Sequence, residues 1–135
     1  MSATRADTLG LQPLARIIAS SVVGLEPEFM GMGPVGAVRA VVDQTGMKLD
    51  DIDVIEINEA FAAQVLASAH QLGIDLDMLN PHGGAIALGH PFGMTGARIM
   101  GTLINDLRTL DQTIGLETMC VGGGQGMAMI VERLS

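Results

Sequence analysis

The sequence predicts an α/β domain, a mixed sheet with helices packed against it in the order β-α-β-α-(short β)-α-β-β. Three observations carry this. Apolar runs of strand length alternate with segments of helical periodicity. Glycine, proline or aspartate punctuates nearly every boundary between them. The chain has 135 residues, 48% of them hydrophobic, which is enough to close one core.

Residues 1–12 read as a polar, weakly helical lead-in, and 13–135 as the domain proper. After Pro13, Leu14 to Gly24 is rich in Ile, Val and Ala and suits a buried strand. Between about Val35 and Gln44, Val38, Val41 and Val42 recur on one helical face, and Gly46 supplies a left-handed stop. Val54 to Ile57 is short and β-branched, a second strand. Asn58 suits a helix N-cap, with Glu59 favoured in the first turn by the helix dipole. Phe61, Val65, Ala69 and Leu72 then share one stripe that ends at Gly73. A third helix is expected from about Met94 to Leu110, buried along Ile99, Leu103, Leu107 and Leu110. Ile114 to Val121 and Met127 to Leu134 read as strands of a hairpin joined through Gly122 to Gly126.

Composition removes several classes of function. The net charge of −8 leaves no basic stripe for nucleic acid. No apolar run is long enough to span a bilayer, and no basic-then-apolar leader opens the chain, so a cytoplasmic location is expected. One cysteine excludes an internal disulfide, and His70, His82 and His90 lack metal-ligand spacing, so no metal site is expected.

The chemistry concentrates in three segments. His90-Pro91 lies inside the glycine-rich run Gly83 to Arg98, Asn58-Glu59-Ala60-Phe61 stands upstream, and Cys120-Val121-Gly122-Gly123-Gly124-Gln125-Gly126 stands downstream. Each has a plain reading beside a chemical one. Asn58 is an N-cap or an amide aimed into a cleft from a strand-to-helix corner. His90 is a solvated loop residue or an acid/base titrating near neutral pH. Cys120 is inert packing or a thiol poised at a glycine turn. Phe61 is core or the wall of a ligand channel.

In this order and spacing, the Asn-Glu-Ala-Phe, Gly-His-Pro and Cys-Val-Gly-Gly-Gly segments resemble the C-terminal half of a thiolase, from about Leu11 to Leu134. The resemblance implies that Asn58 holds a water donating to a thioester oxyanion. It implies that His90 deprotonates a thiol and then supports an oxyanion, and that Cys120 moves a proton at the α-carbon. The Gly122 N–H completes a second oxyanion hole, and the Phe61 ring edge lines the pantetheine channel. Phe92 and Met94 flank the acyl pocket. No cofactor beyond coenzyme A thioesters is implied.

The family's nucleophilic cysteine belongs to an N-terminal half, so this chain is expected to be inactive alone, as a fragment or as a separate subunit needing a partner. A non-catalytic binding or scaffold protein is the rival reading. The complete enzyme is expected to be a homo-oligomer acting on acyl-CoA and CoA.

Overall fold

A computed structural model describes residues 1–135. Helix α1 (Ala3–Thr8) precedes strand β1 (Ala15–Gly24), helix α2 (Gly33–Thr45), strand β2 (Val54–Ile57) and helix α3 (Ala62–Leu72). The short α4 (Ala85–Leu88), the long α5 (Thr95–Thr109) and the hairpin β3 (Ile114–Val121) and β4 (Gln125–Arg133) complete the chain. No helix is long and apolar enough to cross a membrane.

The four strands form one mixed sheet in the order β1-β4-β3-β2, with β2 parallel to β3 and the other pairs antiparallel. A parallel pair needs a crossover, and the path from β2 back to β3 runs through α3, α4 and α5. Strand alternation divides the buried side chains between two faces. Ile55, Ile57, Leu116, Ala128 and Ile130 pack with Val38 and Val41 of α2 and Val65 of α3 in the larger core. Val54 and Val131 meet Leu103 and Leu107 of α5 in a smaller one.

The two sheet edges differ. On β1, Ile17 and Val22 are exposed, and a register shift between Ile17 and Ala19 interrupts the pairing. The free edge of β2 is instead capped by the chain at Leu79 and Asn80. The Asn80 N–H donates to the Ile55 carbonyl at 3.0 Å. Its side chain accepts from the Ile57 N–H at 2.8 Å and donates to the Ile57 carbonyl at 3.0 Å. An amide side chain therefore does the work of a strand residue and leaves no unpaired backbone at this edge.

Several expectations need correction. Asn58 is not an N-cap: α3 begins at Ala62, Phe61 holds the cap position, and Asn58 is fully buried. Four residues separate the strand from the helix because Asn58 is held by tertiary contacts rather than by the first turn. Phe61 therefore leaves the apolar stripe and is 73% exposed. Leu110 lies beyond the end of α5 and is exposed. The short strand between α3 and α5 reduces to a single bridge, Leu79 to Ile55, after a turn of 3-10 helix at Leu76–Met78. The glycine-rich run contains the unexpected α4.

Candidate active site

The parallel strands β2 and β3 end together, with Ile57 opposite Thr118. Open α/β sheets bind ligands beyond such carboxyl ends. Asn58 continues the ladder by donating its N–H to the Thr118 carbonyl at 2.9 Å. Its amide is thereby carried to the face covered by α5, where it meets His90.

The first turn of α5 and the loop before it define this meeting. Nδ1 of His90 lies 2.6 Å from the Thr95 hydroxyl, which in turn donates to the Pro91 carbonyl at 3.3 Å. A hydroxyl donating to that carbonyl accepts from His90, which assigns the ring proton to Nδ1 and leaves the lone pair on Nε2. The Asn58 amide nitrogen lies 3.4 Å from both ring nitrogens. Phe92 tilts against the imidazole at a centroid distance of 4.9 Å.

Glu59 anchors the histidine loop. Its carboxylate accepts from the Asn80 side chain at 2.8 Å and from the Ile86 N–H at 2.9 Å. A Cβ on Gly84 would stand 2.5 Å from the Glu59 carboxyl carbon, so glycine there is what lets the loop close over the acid. The acid expected in the first turn of a helix serves instead as a clamp between two loops.

Cys120 lies near the end of β3, buried, and burial pushes its thiol pKa up. It is a protonated thiol at neutral pH, a proton donor rather than a thiolate. Strand alternation sets Cys120 on the side of Leu116 and Thr118, and no hydrogen bond joins it to His90 or Asn58. The structure thus bonds Asn58 to His90 and brings Cys120 to the same end of the sheet as a separate group.

Gly122 lies in the exposed turn that follows. Crowding is not the reason for glycine at this position, since a Cβ there meets open space. The constrained residues are Gly124, whose φ is +83° and whose Cβ would strike the Leu25 carbonyl oxygen, and Gly126, whose Cβ would strike the Gly33 carbonyl oxygen. Phe61, together with Ile86, Leu88 and Phe92 of the histidine segment, is exposed.

Behind the amide–imidazole pair lies a buried charged cluster that motif reading missed. Arg98 donates to the Asn58 side-chain oxygen at 3.2 Å and approaches Glu56 at 3.8 Å. Burial, reinforced by the neighbouring Asp106 carboxylate, raises the Glu56 pKa to about 8, with Arg98 opposing and Glu59 adding to the rise. Burial raises that of Glu117 to about 7, again against Arg98. Asp106 also meets His82 at 2.7 Å. The available signal was helical spacing: Thr95, Arg98 and Asp106 border the same stripe as Ile99, Leu103 and Leu107.

Residues 11–133 match the family model described as thiolase, C-terminal domain. The chain is 52% identical over 135 residues to an acetyl-CoA acetyltransferase of Escherichia coli, covering 100% of this chain and 34% of that protein. It is 50% identical over 137 residues to a 3-ketoacyl-CoA thiolase of Chromohalobacter salexigens, covering 99% and 35%. The crystal structure of the Bacillus anthracis acetyl-CoA acetyltransferase superposes with a TM-score of 0.95 at 46% identity, over 99% of this chain and 34% of that one. The chain thus spans about a third of the length of the relatives it matches. It belongs to the thiolase family, of which it is the C-terminal domain.

Proposed function

We propose that this chain supplies the acid–base and oxyanion-binding part of a thiolase active site, completed by an N-terminal half that carries the nucleophilic cysteine. The reaction is the reversible cleavage of a 3-oxoacyl-CoA by CoA to acetyl-CoA and a shortened acyl-CoA. The observation that carries this reading is the Asn58–His90 pair, with Nδ1 tied to Thr95 and the Nε2 lone pair, 3.4 Å from the Asn58 amide nitrogen, turned to the site where a thiol proton would replace that contact.

In the cleavage direction, Nε2 of His90 takes the proton of the nucleophilic thiol. The thiolate attacks the 3-oxo carbon, and the bond between that carbon and the α-carbon breaks. The electron pair of the broken bond goes to the α-carbon, which takes the proton of Cys120, and acetyl-CoA leaves. The raised pKa of Cys120 suits a thiol that must hold its proton until a carbanion forms. CoA gives its thiol proton to the Cys120 thiolate and attacks the acyl-enzyme, the shortened acyl-CoA leaves, and the released nucleophilic thiolate takes its proton back from His90. Asn58, through a held water, and the Gly122 N–H stabilise the two oxyanions. The Phe61 ring edge borders the pantetheine arm. No cofactor beyond CoA takes part, and the exposed apolar residues around the site, Phe61, Ile86, Leu88 and Phe92, suit a surface covered by the other half.

Loss of enolate absorbance with acetoacetyl-CoA and CoA tests this directly. The chain alone should give none. Joined in frame to the N-terminal two thirds of an active relative, it should give turnover. Activity that tracks the isolated chain, or a folded joined protein without activity, would overturn the reading.

A further inference from the structure

Arg98 makes one side-chain hydrogen bond, and it goes to Asn58. Nη2 donates to Asn58 Oδ1 at 3.2 Å, while Nε and Nη1 have no hydrogen-bond partner although the side chain is only 11% exposed. A structural salt bridge would close on Glu56 to about 2.8 Å. Instead Nη1 stops 3.8 Å short. A buried guanidinium with idle donors is costly, so its burial calls for another reason. Asn58 offers one, because an asparagine amide has two nearly isosteric orientations and only one directs N–H bonds outward.

We propose that Arg98 is a positioning residue of this site, which commits the Asn58 oxygen inward and so directs the Asn58 N–H bonds toward His90 and any oxygen bound beside it. The consequence for catalysis rests on the thiolase reading above; the orientation itself does not. One helix then sets both members of the pair, with Thr95 holding His90 and Arg98, three residues on, holding Asn58.

The surrounding acids keep Arg98 available. Glu56 from β2, Glu117 from β3 and Asp106 from α5 face it, with Glu59 and His82 at the margins. Buried Glu56 feels the charge of Asp106, and two such carboxyls cannot both ionise cheaply. A protonated Glu56 does not draw the guanidinium away from Asn58.

The test is nuclear magnetic resonance on the 135-residue chain at about pH 6, where Glu56 and Glu117 keep their protons and loss of the arginine is best tolerated. Wild type should show cross-peaks between the Asn58 side-chain amide and the His90 ring. Arg98→Gln should lose them, and Arg98→Lys should recover part, with the β3 and β4 amides unmoved. Unchanged cross-peaks in folded Arg98→Gln would overturn the proposal. Should Arg98→Gln not fold, the wild-type guanidinium decides: distinct, slowly exchanging Nη signals are expected, and free rotation overturns it.

In the joined enzyme, Arg98→Gln should lower kcat about 10- to 100-fold, less than outright loss of an oxyanion donor, with KM within about twofold. An unchanged kcat in that variant counts against Arg98. A joined wild type without activity counts only against the thiolase reading.

Discussion

The two faces of the sheet are built on different principles. The face under α2 and α3 is predominantly apolar, with Val38, Val41, Ile57, Leu116 and Ile130 almost wholly removed from water, and its hydroxyls at Ser21 and Thr118 donate to the Ala37 and Met127 carbonyls. The face under α5 has a small apolar centre beside a buried group of acids and an arginine, with the half-exposed His82 at its margin. Area burial stabilises the first face whatever the pH. Desolvated charge makes the second conditional on protonation, and that face carries Asn58 and His90. The Asn58–His90 pair thus lies across one layer of backbone from the larger core, whereas Cys120 lies near the end of β3 on the side of Leu116.

The largest expected effect breaks the chemistry without touching either core. In the joined enzyme His90→Ala should lower turnover about 100- to 10,000-fold and impair acylation together with every later step. Cys120→Ala should spare acylation, read as transfer of a labelled acyl group onto the protein, and block carbon–carbon bond formation. Equal loss of both steps in a folded Cys120→Ala protein would refute the proposed division of labour.

Next comes the apolar face. Leu116 is fully buried between the sheet and α2. Leu116→Ala should cost about 2–5 kcal/mol in denaturant unfolding, through lost burial and a residual cavity. That cost should hardly change between acid and alkaline buffer.

The charged face should behave oppositely. Glu56 and Glu117 have folded pKa values of about 8 and about 7 against an ordinary 4.5, so the folded chain binds more protons than the unfolded one between these limits. Their contribution is fully present below the ordinary value and is lost as pH rises through about 7 and then about 8. Melting temperature should therefore fall over that window. Glu56→Gln, which keeps the shape without the charge, should flatten the fall. A melting curve in Glu56→Gln as steep in pH as wild type would place the sensitivity elsewhere.

The sequence was legible where local pattern decides structure. Val54 to Ile57 and Ile114 to Val121 were recovered as strands with the observed ends, since β-branched runs between turn residues admit little else. The Asn58–His90 contact was implied only through the family resemblance, because 32 residues separate the two in the chain. The Arg98 cluster was not seen at all. Glu56 sits in a strand whose four residues are all buried, and the partners that make an acid tolerable there come from α5 and β3. Helical periodicity marks Ile99 and Leu103 as buried but says nothing of what an arginine beside them will meet.

Phe61 is where local pattern misled, and it yields the smallest expected effect. Its spacing to Val65, Ala69 and Leu72 is that of a core stripe, and a buried phenylalanine truncated to alanine would cost about 3–5 kcal/mol. The ring is 73% exposed, because α3 starts one residue later and Phe61 stands at its cap with extended backbone. Phe61→Ala should therefore shift stability by no more than about 0.5 kcal/mol in either direction, as exposed positions do. If the ring borders the pantetheine arm, the same change should raise KM for CoA severalfold in the joined enzyme with little change in kcat, the signature of lost uniform binding. A stability loss of core size would return Phe61 to the apolar stripe. An unaltered KM would remove it from the ligand channel while leaving the Asn58–His90 pair untouched.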